Sequence, residues 1–178
     1  MESLIVYKSD TGFTKKYVDS LERRLPESEV VDIKKFKAKM TKDVDFIFFG
    51  GPLRNSKILG LDKFLKHYEK FKDKNIFIFC TGIEPITDEK KDIVITSNGL
   101  NYYHVRLYLL PGGMDYSKMS KIMQKMMKIG LEAAAKKQNL PLDQISARLT
   151  TPMDLTDVSK LDKMLDVYHL LKINKNNK

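Results

Sequence analysis

Five short apolar runs punctuate the chain: "LIVY" at 4–7, "EVVDI" at 29–33, "VDFIFFGG" at 44–51, "NIFIFCTG" at 75–82 and "VRLYLLPGG" at 105–113. Their length and their β-branched and aromatic content predict strands. The third and fourth are apolar at nearly every position, which suits strands covered on both faces. The second is more polar, as an edge strand is. Between the runs, apolar residues recur at helical spacing. Phe13, Tyr17, Leu21 and Arg24 predict a helix over 13–24, with Pro26 as its stop signal. Leu61, Phe64, Leu65, Tyr68 and Phe71 share one face of a predicted helix over 60–71. A third helix is predicted over 87–98, opening at Thr87-Asp88 and ending at Gly99, although "IVIT" at 93–96 also fits an extended segment. The clearest helix covers 116–137 with Ser117 as N-cap, and the last covers 156–172 from Thr156-Asp157. The stretch "KKQNLPLDQISARLTTPMD" (136–154) reads as irregular, and the tail "NKNNK" as frayed.

Strands alternating with helices predict one parallel sheet covered on both faces, within a single domain over 1–178. Right-handed crossovers then gather the loops that follow the strands at one edge, where ligands bind. Three of those loops are polar. Loop one is S-D-T-G-F-T, Ser9 to Thr14. It offers three hydroxyls, several backbone N–H groups and a glycine at the start of a helix, which suits an anion. It lacks the nucleotide-triphosphate pattern G-x-x-x-x-G-K-S/T and the dinucleotide turn G-x-G-x-x-G. Loop two is G-G-P-L-R-N-S-K-I-L-G, residues 50–60, and loop three is T-G-I-E-P-I-T-D, residues 81–88.

Composition narrows the chemistry. Cys80 is the single cysteine, so neither an internal disulfide nor a cysteine zinc cluster can form. His67, His104 and His169 lie far apart, so no metal is expected. The N-terminus has no basic n-region or long apolar stretch, and no run approaches the roughly 18 apolar residues of a membrane span, so a cytoplasmic protein is expected. The 32 Lys and Arg outnumber the 23 Asp and Glu, for a net charge of +9. That excess speaks first to solubility, then to an anionic membrane or an acidic protein partner. Nucleic acid is not expected, because no recognition helix or aromatic-basic motif accompanies the charge.

Ser9, Thr11, Gly12 and Thr14 resemble the S/T-x-T-G-x-T phosphate loop of the flavodoxins, directly after the first strand as that family places it. The resemblance implies a flavodoxin-like doubly wound five-stranded sheet of order 2-1-3-4-5 and non-covalent FMN. It implies that Ser9, Asp10, Thr11, Gly12, Phe13 and Thr14 hold the phosphate. Loop two, through Gly50, Gly51, Pro52, Leu53, Arg54, Asn55, Ser56 and Lys57, would flank one side of the flavin ring. Thr81, Gly82, Ile83 and Glu84 of loop three would flank the other. Neither of these two loops carries the aromatic that stacks on the ring in many flavodoxins, so Leu53 or Ile83 would take that place. A basic chain also implies a cationic surround that raises the flavin's potential. The segment 100–131, through Gly112, Gly113, Tyr116 and Met126-Met127, is similar to the flavodoxin-domain family typified by menaquinone-dependent protoporphyrinogen oxidases. The likeness runs over roughly 3–135. It implies electron transfer or flavin-dependent oxidoreduction with a redox partner protein or a quinone-like acceptor, and transfers no catalytic residue.

Other readings are distinguishable. A signalling receiver on the same fold needs an acidic pair after the first strand and an Asp after the third, yet loop one supplies Asp10 alone and the third strand ends in Gly50-Gly51-Pro52. A flavodoxin-fold interaction module that has lost its flavin is kept alive by the missing stackers. In helix 116–137, Met119, Ile122, Met123, Met126 and Ile129 share a face that is expected to pack on the sheet. Lys118, Lys121, Lys125 and Lys128 form a row on the opposite side, either solvated or docking an acidic partner or an anionic membrane.

Overall fold

The computed structural model describes residues 2–138, 141 and 151–177. Alternation within each strand sends successive side chains to opposite faces. Because both faces are apolar, two cores form. Leu4 and Val6 of β1 (Ser3–Tyr7), Ile47 and Phe49 of β3 (Phe46–Arg54), and Ile76, Ile78 and Cys80 of β5 (Asn75–Gly82) face one core. The helices α2 (Leu61–Leu65) and α3 (Asp88–Ser97) close it with Phe64 and Val94. Ile5, Phe46, Phe48, Phe77 and Phe79 face the other core. It is closed by Tyr17, Val18 and Leu21 of α1 (Phe13–Arg24), by Leu161 just ahead of α5 (Asp162–Asn176), and by Met164, Leu165 and Tyr168 of α5 itself.

The sheet is parallel, in the order β2-β1-β3-β5-β6, with β2 at Ser28–Asp32 and β6 at Val105–Pro111. This is the flavodoxin-like order 2-1-3-4-5 once the small β4 arm (Lys57–Ile58) is set aside, and β2 lies at an edge as its polarity predicts. α1 occupies the predicted span, and α3 opens at Thr87, whose hydroxyl accepts the Lys90 N–H.

Several expectations are corrected. The helix over 60–71 is broken: α2 ends at Leu65 and a 3-10 turn covers Tyr68–Lys70. Phe64 and Phe71 approach to 4.9 Å between ring centroids. Two turns of continuous helix would separate these residues by about 10 Å along the axis. Strand β3 runs on to Arg54 because β5 stays beside it as far as the Pro52–Thr81 pair. The N-cap near 117 is displaced. The Asp115 carboxylate accepts both the N–H and the hydroxyl of Ser117 in a 3-10 turn over Tyr116–Lys118, and Ser120 Oγ caps Met123 N–H in α4 (Lys121–Gln138). Those bonds, with Lys118, hold the Asp115 carboxyl below its usual range. A small ribbon pairs β7 (Gly113–Met114) with β8 (Met153–Asp154), inside the stretch expected to be irregular. Residues 139, 140 and 142–150 of that stretch lie outside the described residues. The tail continues α5 to Asn176 instead of fraying at 174.

Candidate functional site

The three polar loops meet at the C-terminal edge of the sheet, as the topology requires. Loop one passes from β1 into α1 with Gly12 at φ +94, in the left-handed region that favours glycine. Gly12 is the N-cap of α1 and offers no side chain to it. The first-turn N–H groups of Phe13, Thr14 and Lys15 therefore have no helical acceptor and no side-chain cap. A Cβ built on Gly12 meets nothing within 4 Å, so this helix end is open. The three hydroxyls do not converge on it. Ser9 Oγ accepts the Gly12 N–H at 3.2 Å and shapes the turn. Thr14 Oγ1 is buried and shares a 2.8 Å hydrogen bond with Thr81 Oγ1, tying loop one to loop three. Thr11 remains beside the opening.

Above that point lies a cleft of about 150 Å³. Asp10, Thr11, Phe13 and Thr14 line it from loop one, Pro52, Leu53 and Arg54 from the end of β3, and Thr81, Gly82 and Ile83 from loop three. Loop two is a two-stranded arm rather than a wrapping loop. β3 turns at Asn55 and Ser56, both at positive φ, and returns antiparallel as β4. Of the predicted site residues, Ser9 and Gly12, which shape the turn, do not line the cleft, and neither do Gly51, Asn55, Lys57 and Glu84. Asn55 faces an adjoining groove, Lys57 Nζ caps the Ser97 carbonyl of α3, and Glu84 pairs with Lys90. Gly51 is buried under the returning chain, where an added Cβ would stand 2.7 Å from Leu59 O.

The fourth wall is absent from the sequence reading. Met114, Met119, Met123 and Met127 close the cleft from the opposite side. Met119, Met123 and Met127 recur every four residues, a spacing visible in the sequence, where Met119 and Met123 are grouped with Ile122, Met126 and Ile129 on a face expected to pack on the sheet. Arg54 joins this wall to loop one: its guanidinium donates to Asp10 Oδ2 at 3.2 Å and to Met123 Sδ at 3.0 Å. Lys8 also donates to Asp10, at 2.8 Å. Among the described residues, the charged side chains lining the cleft are thus one of each sign, Asp10 and Arg54, and not the expected cationic surround. A second apolar groove of about 360 Å³ continues past Arg54 along α4, lined by Met126, Gly130 and Leu131 as well as the shared methionines.

Close backbone approaches set the cleft floor. Gly112 N donates to Gly82 O at 2.6 Å, and a Cβ on Gly113 would stand 2.3 Å from the Phe13 ring. Tyr17 is fully buried; its hydroxyl donates to Pro111 O at 2.5 Å and accepts the Asp157 N–H at 3.0 Å, and burial pushes its pKa up. Cys80 lies in the core at the end of β5, where burial pushes its thiol up to about 12 and keeps it inert at neutral pH.

Several solved structures are similar to the chain. A flavodoxin from Megasphaera elsdenii is 19% identical, with 67% of this chain and 89% of that one covered and a TM-score of 0.46. An oxidised flavodoxin from Bacillus cereus is 17% identical, covering 63% and 85%, at 0.48. A flavoprotein from Lactobacillus acidophilus in complex with FMN is 16% identical, covering 62% and 91%, at 0.44. No curated protein matches the chain in sequence. The family model described as a flavodoxin domain matches residues 4–140. That match runs from β1 through loops one to three and the methionine wall, and the chain belongs to the flavodoxin-domain family.

Proposed function

We propose that the protein binds FMN in this cleft and acts as a flavin redox protein. The observation that carries the reading is the uncapped start of α1 at Gly12, opening into a cleft framed by all three loops. An anion is favoured there by the unpaired N–H groups and the helix dipole together. The residues present fit the group. Thr11 and the N–H groups of Phe13, Thr14 and Lys15 suit the phosphate, and Leu53, Ile83 and the methionines suit a flat apolar body. The cleft is smaller than the roughly 300 Å³ of a typical ligand pocket. Its fourth wall is made of unbranched, readily repacked side chains, which lets it widen. FMN, when bound, supplies reversible one- or two-electron chemistry, while the chain supplies binding and orientation.

The acceptor is a redox partner protein or a quinone-like molecule. The apolar methionine groove beside the cleft favours the second, an oxidoreductase of the quinone or porphyrinogen type. A second reading, an interaction module without flavin, is favoured by the narrow cleft and by the absence of an aromatic ring at Leu53 or Ile83. The visible spectrum of the purified protein, before and after adding FMN, separates the two. A two-band flavin spectrum is expected. Thr11→Glu should weaken FMN binding at least about a hundredfold, since like charges about 4 Å apart at an effective dielectric near 20 repel by about 4 kcal/mol. A colourless protein that takes up no FMN sinks the redox reading and leaves the module.

A further inference from the structure

The helix α4 was expected to bury its apolar face on the sheet, and it does not. Only Met123 and Met127 of the helix, with Met119 from the turn just before it, face the cleft. A second row stands in solvent: Ile122 is 75% exposed, Met126 65% and Ile129 56%. At 100° per residue these two rows lie side by side and together span about 160° of the helix circumference. Lys121, Lys125 and Lys128 occupy the remaining arc, next to the exposed row. Lys118 does not belong with them, because it lies in the preceding 3-10 turn and pairs with Asp115 at 3.0 Å. Among the described residues Lys128 has Glu132 at 4.0 Å as a carboxylate neighbour.

From this arrangement we infer that α4 seats on an anionic membrane surface, with Ile122, Met126 and Ile129 entering the headgroup boundary and the three lysines meeting anionic lipid. An occupant of this face must be apolar along a straight row about 10 Å long and negative beside it. A lipid interface supplies both along its whole extent, and amphipathic helices with lysine flanks bind it in this way. Lysine stems reach along the apolar zone while their ammonium groups stay at the headgroups. A second copy of the chain meets the apolar need but sets the lysine rows near one another. A soluble acidic protein meets the charge and leaves the isoleucines in want of cover. No helix among the described residues is long and apolar enough to cross a membrane, so the contact is peripheral. Because the same helix walls the cleft, seating it places the methionine groove at the lipid. The inference does not depend on flavin.

The test uses the full chain and vesicles of phosphatidylglycerol mixed equally with phosphatidylcholine, against phosphatidylcholine alone. Co-sedimentation should show binding to the anionic vesicles only, weakening as salt rises. Lys121→Glu/Lys125→Glu/Lys128→Glu should lower partition about a hundredfold or more, taking roughly fivefold per lysine at the surface. Ile122→Gln/Ile129→Gln should also lower it by tenfold or more while far-UV circular dichroism and thermal midpoint stay unchanged. Ile122→Cys carrying an environment-sensitive dye gives a direct readout, since Cys80 is 1% exposed and stays unlabelled. Its emission should shift to the blue on anionic vesicles. A dye at Lys70→Cys, before β5 at the opposite end of the sheet, should not shift. The inference is overturned by any of four results: no binding to anionic vesicles, equal binding to neutral ones, no blue shift at position 122, or a concentration-dependent dimer abolished by the glutamine pair.

Discussion

The hydrogen bond between Thr14 and Thr81 joins loop one to loop three across 67 residues of chain, and both side chains are buried. Thr14→Val keeps the branched shape and removes the hydroxyl. Thr81 Oγ1 then stays in the core with no other partner among the described residues. The loss combines the net value of the bond with the desolvation cost of the stranded group, about 1–3 kcal/mol. For a chain of this size each kcal/mol lowers the melting temperature by about 2–4 °C, so Tm should fall by roughly 2–12 °C. Thr81→Val should cost a similar amount for the mirror-image reason. The double variant strands nothing, because both polar atoms are gone. Its loss should be smaller than the sum of the singles by about 1 kcal/mol or more, as expected for residues in contact. Urea and thermal unfolding followed by circular dichroism on all four proteins complete the cycle. Additive losses, equal to the sum within about 0.5 kcal/mol, would refute the bond and with it the tie between the two loops.

The remaining expectations concern close packing and acid. Gly113→Ala would set a Cβ 2.3 Å from the Phe13 ring and 2.6 Å from Met153 O; it should destabilise the protein by about 1–3 kcal/mol in urea unfolding. On the FMN reading it should also weaken flavin binding in a fluorescence titration, because Phe13 opens α1 beside the phosphate. Asp154 is held at a pKa of about 2, chiefly by its bond with Lys16 and then by Thr156. Its folded value lies below the unfolded one, so its contribution is present above about pH 4 and is lost as pH falls through 2. Side chains half in water reduce that contribution to about 1 kcal/mol or less. Asp154→Asn should therefore lower Tm slightly at pH 5 to 7 and leave it unchanged near pH 2, measured by calorimetry across that range.

What the sequence determined by itself is what local physics controls. The five runs became the five long strands because apolar content and turn residues act within a few positions. α1 fills 13–24 between Gly12 and the turn at Pro26, and Thr87 caps α3, because caps and stops are local too. Strand alternation then set the topology and gathered loops one to three at one edge. The tertiary structure decided what depends on neighbours distant in the chain. β3 lengthens because β5 runs beside it, which turns loop two into a β-arm and removes Lys57 from the cleft. The helix over 60–71 breaks because Phe64 and Phe71 must meet in the same core. Thr14 turns its hydroxyl to Thr81 instead of to the open helix end because loop three lies there. The methionine helix is the sharpest case. Its apolar positions form one arc of about 160°, and periodicity alone does not say which part of that arc is buried. Only the position of α4 and of the turn before it against loops one and three selects Met119, Met123 and Met127 for the cleft and leaves Ile122, Met126 and Ile129 to the solvent.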